Sequence, residues 1–177
     1  MSEMKAIPKI PLGLIDLSDV TLSVNFMPDL GRLRSSIREM GLIQPVLLRE
    51  KGDGFQIVCG FRRIFIFQEM GNPEIEARSL DENEVDELGL FAISLHENLM
   101  TRGFNSVEIA IALDKLVHQY RLEPRVVIKN FLSLFSLEPH EKILKTYLSL
   151  ARMEETVKRY VVEEGVSRFN IRLLSNF

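Results

Sequence analysis

The amino-acid sequence predicts an α+β domain followed by an all-helical one, with the boundary near residue 105. Three observations carry that reading. Two strand-like runs are joined by turn residues, apolar residues flanking them recur at helical spacing, and everything after Tyr120 is patterned as short helices.

Taken in order, residues 14–26 carry Leu14, Ile15, Leu17, Val20, Leu22 and Val24, which suggests short strand pieces. From Pro28 the spacing turns helical through Leu30, Leu33, Ile37 and Met40, and Gly41 stops the helix. Pro45–Arg49 and Phe55–Cys59 read as strands, with Lys51-Gly52-Asp53-Gly54 as the turn of a β-hairpin. Gly60 ends the second strand. A short apolar helix follows from about Arg62 to Met70, where Phe65, Phe67 and Met70 read as core packing. Residues 75–78 suit one more strand. Asp81 with Glu84, and Asn105 with Glu108, carry the spacing of helix-start boxes. Pro124 and Pro139 each stand where a first helical turn would begin, which predicts helices over 124–135 and 139–150. The chain stops inside an apparent helix at Phe177, as expected of a truncated piece or of a short relative.

Composition narrows the class. With 46% hydrophobic residues in 177, the chain has enough apolar side chain to offset its conformational entropy, which excludes disorder. No apolar run approaches the roughly 18 residues of a membrane span. Met1-Ser2-Glu3-Met4-Lys5 is not a basic start leading into an apolar core, so no secretory signal is expected. A single cysteine, Cys59, excludes an intrachain disulfide framework and suits a reducing compartment. The expectation is a cytoplasmic protein with no membrane partner. Residues 1–120 hold 12 basic and 18 acidic side chains, and residues 121–177 hold 10 and 7. The second part is therefore mildly basic, which suits phosphate contact or an ordinary solvated surface.

Chemistry concentrates at two places. In Cys59-Gly60-Phe61-Arg62-Arg63, glycine permits close approach and the following helix start favours anions. Two guanidinium groups at the positive end of a helix dipole are unfavourable unless an anion or a carboxylate compensates them. They serve either phosphate or the acidic residues of this region. In His96-Glu97-Asn98, a carboxylate beside an amide oxygen can ligate a hard cation when phosphates supply further oxygens, or can simply end a helix. His118 and His140 read as surface histidines, and Asn105 and Glu108 as caps. Zinc-binding cysteine pairs, a GxxxxGK loop and a serine elbow are all missing from the sequence.

In order, these segments resemble the N-terminal domain of the ParB/Spo0J partition family, which shares a fold with sulfiredoxin. Leu33–Val46, with Gly41-Leu42-Ile43-Gln44-Pro45-Val46 at its end, resembles the first box. Ile57-Val58-Cys59-Gly60-Phe61-Arg62-Arg63 resembles the second, and Glu97-Asn98-Leu99 with Asn105 and Glu108 the third. The resemblance covers roughly residues 14–110 and implies a small mixed sheet with helices, over residues 1–105. It implies a helix-turn-helix-like unit over residues 106–177. It further implies a CTP or other triphosphate site with Mg²⁺. Gln44 would line that pocket, Gly60, Phe61, Arg62 and Arg63 would cradle the phosphates, and Glu97 and Asn98 would hold the metal. Lys142 and Lys145 would meet DNA, and a homodimer is the implied assembly. Phe61 stands where the family has glutamate, Phe65 where it has a further arginine, and Arg102 one residue beyond the arginine of the third box. Sulfiredoxin chemistry is disfavoured, because the reactive cysteine would follow the glycine and Phe61 is there. The expected function is nucleotide-responsive DNA binding in partition or transcriptional regulation. The alternatives are an enzyme on the same scaffold (nucleotide hydrolase, phosphotransferase or nuclease) and an interaction module that binds no nucleotide.

Overall fold

Lys51-Gly52-Asp53-Gly54 sets the architecture of the first part, because Gly52 takes the left-handed backbone (φ 58°) that a two-residue hairpin turn requires. In the computed structural model, which describes residues 7–166 and Ile171, this turn joins β2 (Val46–Lys51) to β3 (Gly54–Cys59) as an antiparallel pair. A register shift between Leu47 and Leu48 leaves Leu48 opposite Ile57 and Arg49 opposite Gln56. Helix α2 (Phe61–Glu69) then carries the chain to β4 (Glu74–Leu80), which lies parallel to β2. A short β1 (Lys9–Pro11) pairs antiparallel with β4 at the sheet edge, giving the order β1-β4-β2-β3. Pro8 before it and Pro11 as its last residue are compatible only with such an edge and conceal the strand from sequence patterning. Val46, Leu48, Ile57, Ile64, Ile75 and Ala77 form the buried cluster on one face, with Phe61 and Phe67 packed against it. Met1–Lys5 and Phe177, on which the sequence reading drew, lie outside the described residues.

The chain divides into two compact units. One takes the chain through Ser23 and again from Pro28 to Asn98; the other takes Val24–Met27 and the chain from Leu99 onward. The division falls inside α3 (Glu87–Thr101), several residues before the boundary expected near residue 105.

Several elements of the first unit depart from the sequence reading. Residues 14–23 make only one isolated bridge, Ile15 to Phe55, instead of strand pieces. Aspartates divert the backbone into turns there: Asp16 Oδ1 accepts from the Ser18 N–H (3.0 Å) and hydroxyl (2.6 Å), and Asp19 Oδ1 from the Thr21 N–H (3.0 Å). Helix α1 (Gly31–Met40) starts three residues after Pro28, where Asp29 Oδ1 accepts from the Gly31 N–H at 2.9 Å. Glu84 accepts from the Asp81 N–H at 3.2 Å, but its own N–H goes to the Asp81 main-chain oxygen (3.2 Å), so the pair closes a turn and not a capping box. The helix begins at Glu87, with Asp86 accepting from the Gly89 N–H at 2.7 Å. Of the aromatic cluster on α2, Phe67 meets the core, whereas Phe65 and Met70 are exposed.

In the second unit, α4 (Ser106–Asp114) starts with a complete capping box. Asn105 accepts from the Glu108 N–H at 2.9 Å and Glu108 accepts from the Asn105 N–H at 3.1 Å. Glu108 is buried and also takes both nitrogens of Arg102, at 2.7 and 3.0 Å, and the Phe26 N–H at 3.2 Å. Arg102, which also donates to Asn25 (3.0 Å) and stacks over Phe104, thereby ties segment 24–27 to α4. A π-helical stretch, Lys115–Gln119, extends α4. The helix expected over 124–135 is α5 (Pro124–Asn130) followed by a separate 3₁₀ turn, Leu132–Phe135. Ser136 (φ 55°) supplies the left-handed residue after it, a place glycine would ordinarily take. The next helix, α6 (Glu141–Arg152), starts two residues after Pro139, because His140 Nδ1 caps it by accepting from the Lys142 N–H (3.1 Å). Helix α7 (Glu155–Glu163) follows, and α4 packs along α6.

The far face of the hairpin carries a polar chain. Arg49 Nη2 donates to Gln56 and to Glu87 at the start of α3, and Gln56 Nε2 and Lys51 Nζ both donate to Asp19 Oδ2, at 2.8 and 2.9 Å. Burial works to raise the Asp19 carboxyl, but the Thr21 and Lys51 hydrogen bonds outweigh it and hold the group at about 2, against an ordinary 3.8. A depressed carboxylate binds fewer protons folded than unfolded. Its contribution is therefore complete above pH 3.8 and is lost as pH falls toward about 2. Urea unfolding followed between pH 5 and roughly pH 2 should show this loss, and Asp19→Asn should flatten the pH dependence over that window.

Candidate functional site: an arginine cradle where three segments meet

The site is built on the junction of β3 and α2. Gly60 has φ 101°, a conformation that side chains rarely adopt, and a Cβ placed on it would lie 2.6 Å from Val46 Cγ1 and 3.3 Å from Arg63 Nε. Glycine is therefore required both by the backbone and by the proximity of β2. Its carbonyl accepts from the Ile64 N–H at 3.0 Å, which starts α2 within one residue of the strand. First-turn N–H groups of a helix have no intrahelical acceptor and make a ready anion site.

Arg63 occupies the third position of that helix and collects the site. Its Nη1 donates to the main-chain oxygens of Gln44 (2.9 Å) and Pro45 (3.1 Å), and its Nη2 donates to Glu97 Oε1 at 2.6 Å. Segments 44–46, 60–63 and 97–98 thus meet at one guanidinium, although the first and last are separated by some fifty residues of sequence. The Arg63 and Glu97 side chains are 13% and 28% exposed, so the pair is shielded more than an ordinary surface ion pair.

The other expected residues sit as follows. Arg62 is half-buried beside Arg63. Gln44 keeps its side chain exposed and contributes its carbonyl oxygen. Phe61 packs on the core and leaves only its main chain at the cradle. Asn98 turns its amide nitrogen onto its own helix, donating to Ser94 O at 2.8 Å. Pro45 and Val46 belong to the first box read from the sequence, but the contacts they make here, a main-chain oxygen on Arg63 and a methyl against Gly60, carry no sequence signal. Cys59, buried next to the pair, is pushed up to about 12, first by burial and then by Glu97, with Arg63 opposing. It is a thiol at neutral pH and does no thiolate chemistry.

Lys142 and Lys145 belong to the second unit, both exposed on α6. Lys145 pairs with Glu141 one turn earlier at 2.7 Å, and that hydrogen bond lowers the Glu141 carboxyl. His118 Nδ1 faces Asp114 (2.9 Å) and its Nε2 faces Arg152 (2.8 Å).

Gly60→Ala should cost roughly 2–4 kcal/mol, combining backbone strain with overpacking against Val46. Gly71→Ala, equally left-handed but with open space around its Cβ, should cost about 1 kcal/mol. Paired urea titrations would show the difference, and equal losses would mean that the approach of Val46 is not what demands the glycine.

The family model described as the ParB N-terminal domain matches residues 2–99. The chromosome-partitioning protein ParB of Myxococcus xanthus is 37% identical over 93 residues, 52% of this chain and 30% of that protein. A probable chromosome-partitioning protein ParB of Pseudomonas putida is 28% identical over 164 residues, 86% of this chain and 54% of the relative. A nucleoid occlusion protein of Bacillus cytotoxicus is 25% identical over 143 residues, 80% and 46% of the two chains. The chain thus spans about half, or less, of the length of these relatives. Among solved structures, the C-terminally truncated chromosome-partitioning protein ParB of Caulobacter crescentus, complexed to the centromeric parS site, covers 95% of this chain and 84% of its own. Its TM-score is 0.53 at 18% identity, a likeness of fold. The α+β unit with its small mixed sheet and the helical unit after it follow that fold. Because the family model spans more than half of the sequence and takes in all three segments that meet at Arg63, this chain belongs to the ParB N-terminal domain family.

Proposed function

We propose that this chain is a nucleotide-responsive DNA-binding protein of the partition type, acting in the cytoplasm as a homodimer. Its first unit binds a nucleoside triphosphate, CTP by resemblance to the family, and its second unit binds DNA. The observation that carries the nucleotide half is the convergence of the three family boxes on the Arg63 guanidinium. The start of α2 and the Arg62 side chain supply donors for phosphate oxygens, and Gly60 lets the main chain come close to them.

Glu97 and Asn98 are the oxygen donors that would hold Mg²⁺, and their hard-oxygen chemistry fits that ion when phosphates complete its shell. When bound, the ion would supply positive charge that offsets the charge of the phosphates. Arg63 keeps the loop at Gln44–Pro45 and helix α3 in register around the ligand, and Phe61 anchors the helix start in the core. The neutral Cys59 thiol adds no charge beside the phosphates. For the DNA half, the support is the parS complex of the Caulobacter crescentus protein together with the exposed lysines of α6.

A thermal-shift screen of nucleoside triphosphates with Mg²⁺ tests the first half. At 100 times Kd a ligand stabilises by about 2.7 kcal/mol. For a chain of this size that corresponds to a shift of roughly 5–10 °C. CTP should give it and Arg62→Ala should lose it; no shift with any triphosphate removes the nucleotide reading.

Salt-dependent binding to a parS duplex tests the second half. Each of Lys142→Ala and Lys145→Ala should lower the slope of log K against log salt by about 1. Unchanged slopes would take both lysines off the DNA, and failure to bind any duplex at low salt would remove the DNA reading.

A further inference from the structure

We infer that Glu141 is a specificity-determining residue of the DNA-binding unit, whose carboxylate accepts from the amino group of one cytosine in the major groove while Lys145 faces the guanine paired with it. This rests on the DNA half of the reading above and names what that half reads.

Helix α6 buries Leu144, Tyr147 and Leu150 on one face and exposes Glu141, Lys142, Lys145, Ser149 and Arg152 on the other. Three cations on one exposed face complement the charge of a phosphate-lined groove. Helix α5 packs against α6, as the first helix of a helix-turn-helix unit does against the second. In such units the N-terminal part of the second helix meets the base edges. Of the exposed residues of α6, Glu141, Lys142 and Lys145 lie in its first two turns.

Glu141 is the acid among these cations. A carboxylate near phosphates is repelled, and in a groove that excludes water it is left unsatisfied unless a donor faces it. Its surroundings keep it charged. The hydrogen bond from Lys145, at 2.7 Å, holds the carboxyl below its ordinary 4.5, and the charges of Lys145, His140 and Arg125 of α5 act in the same direction. Among the described residues the carboxylate bonds only to Lys145, through Oε1, so Oε2 is open to DNA. His140 Nδ1, which accepts from the Lys142 N–H at 3.1 Å, fixes the turn that carries it.

An ionised carboxylate can only accept, and the major groove offers it two donors, the N4 amino group of cytosine and the N6 amino group of adenine. Lys145 decides between them. Cytosine N4 is hydrogen-bonded to guanine O6 across its own pair, so that donor and acceptor lie about 2.9 Å apart. The Glu141–Lys145 pair, 2.7 Å across and of opposite polarity, matches that edge without breaking its own bond. Lys145 keeps two further N–H groups for guanine O6 and N7, the acceptors that basic side chains most often meet. At an A·T pair the thymine methyl group stands beside O4 and crowds the ammonium. A lysine in the groove still lies between the two phosphate strands, so its charge enters the salt dependence as before.

Selection by the intact chain from a randomised duplex library at low salt, then fluorescence anisotropy on the selected duplex and its single-base-pair variants, tests this. Wild type should require cytosine at one position, with about 5- to 150-fold weaker binding of any other base there. Glu141→Gln should move the preference at that position to adenine, whose N6 and N7 an amide meets in two bonds, and leave the other positions unchanged. Glu141→Ala, checked for folding by circular dichroism, should lose the preference at that position alone. Any uniform gain from removing a negative charge cancels in these ratios. Lys145→Met should weaken the same preference and no other. If the choice at every position survives both Glu141 variants, or the position that responds takes a base other than cytosine in wild type, the reading role is overturned while DNA binding stands. If wild type binds no duplex of the library even at low salt, the DNA reading itself falls and this inference with it.

Discussion

One guanidinium holds the candidate site together. Arg63 is anchored through Nη1 to the chain entering β2 and through Nη2 to α3, and it reaches both only because α2 starts immediately after Gly60. That immediate start depends on a positive φ and on the missing Cβ, since Val46 occupies the space a side chain would need. Glycine, valine, arginine and glutamate are thus parts of one constraint. The glycine sets the bend, the bend aims the arginine, and the arginine fixes the loop and the helix that would line a ligand.

Within the first unit, helix α3 is held at two charged points. Arg49, from the middle of β2, pairs with Glu87 in its first turn, and Arg63 pairs with Glu97 ten residues on, which is about 15 Å along a helix. Arg49 is almost wholly buried and its Nε has no hydrogen-bond partner among the described residues, so the first of these pairs carries a desolvation cost. Gln56 and Asp19 offset part of it by extending the polar chain toward Lys51 at the surface. Arg102 and Glu108 do the corresponding work in the second unit, with a buried carboxylate satisfied by two guanidinium nitrogens and two main-chain N–H groups.

What the sequence made legible follows from the range of the forces involved. The hairpin turn at Gly52, the stop at Gly41, the box at Asn105–Glu108 and the proline at the start of α5 are decided within four residues, and each was readable. Errors arose where a local signal had a competitor. Asp16 and Asp19 satisfied the backbone of an apolar stretch by themselves, so no strand formed there. Asp81–Glu84 has the spacing of a helix start but closes a turn through the Asp81 main-chain oxygen, and Asp86, closer to the apolar run of α3, takes the cap. Strand β1 is three residues that follow one proline and end on another, and it owes its existence to β4. At the candidate site, Arg63 and Glu97, which stand out in the sequence by chemistry and order, do meet, and Asn98 bonds to its own helix; the oxygens of Gln44 and Pro45 carry no sequence signal, because every residue has one.

Phe61 shows how a departure from the family pattern is absorbed. A glutamate at that position would place a carboxylate beside the two arginines; phenylalanine instead packs against the core formed by Val46, Leu48 and Ile64 and secures the first turn of α2. The electrostatic task does not vanish with the glutamate, since a cation at a helix start still opposes the dipole. Glu97 and two main-chain oxygens meet it from other parts of the chain. The arginine is thus organised by long-range contacts where a neighbouring carboxylate would have sufficed. It follows that in this chain the carboxylate that steadies Arg63 and the carboxylate proposed to meet a cation are the same side chain.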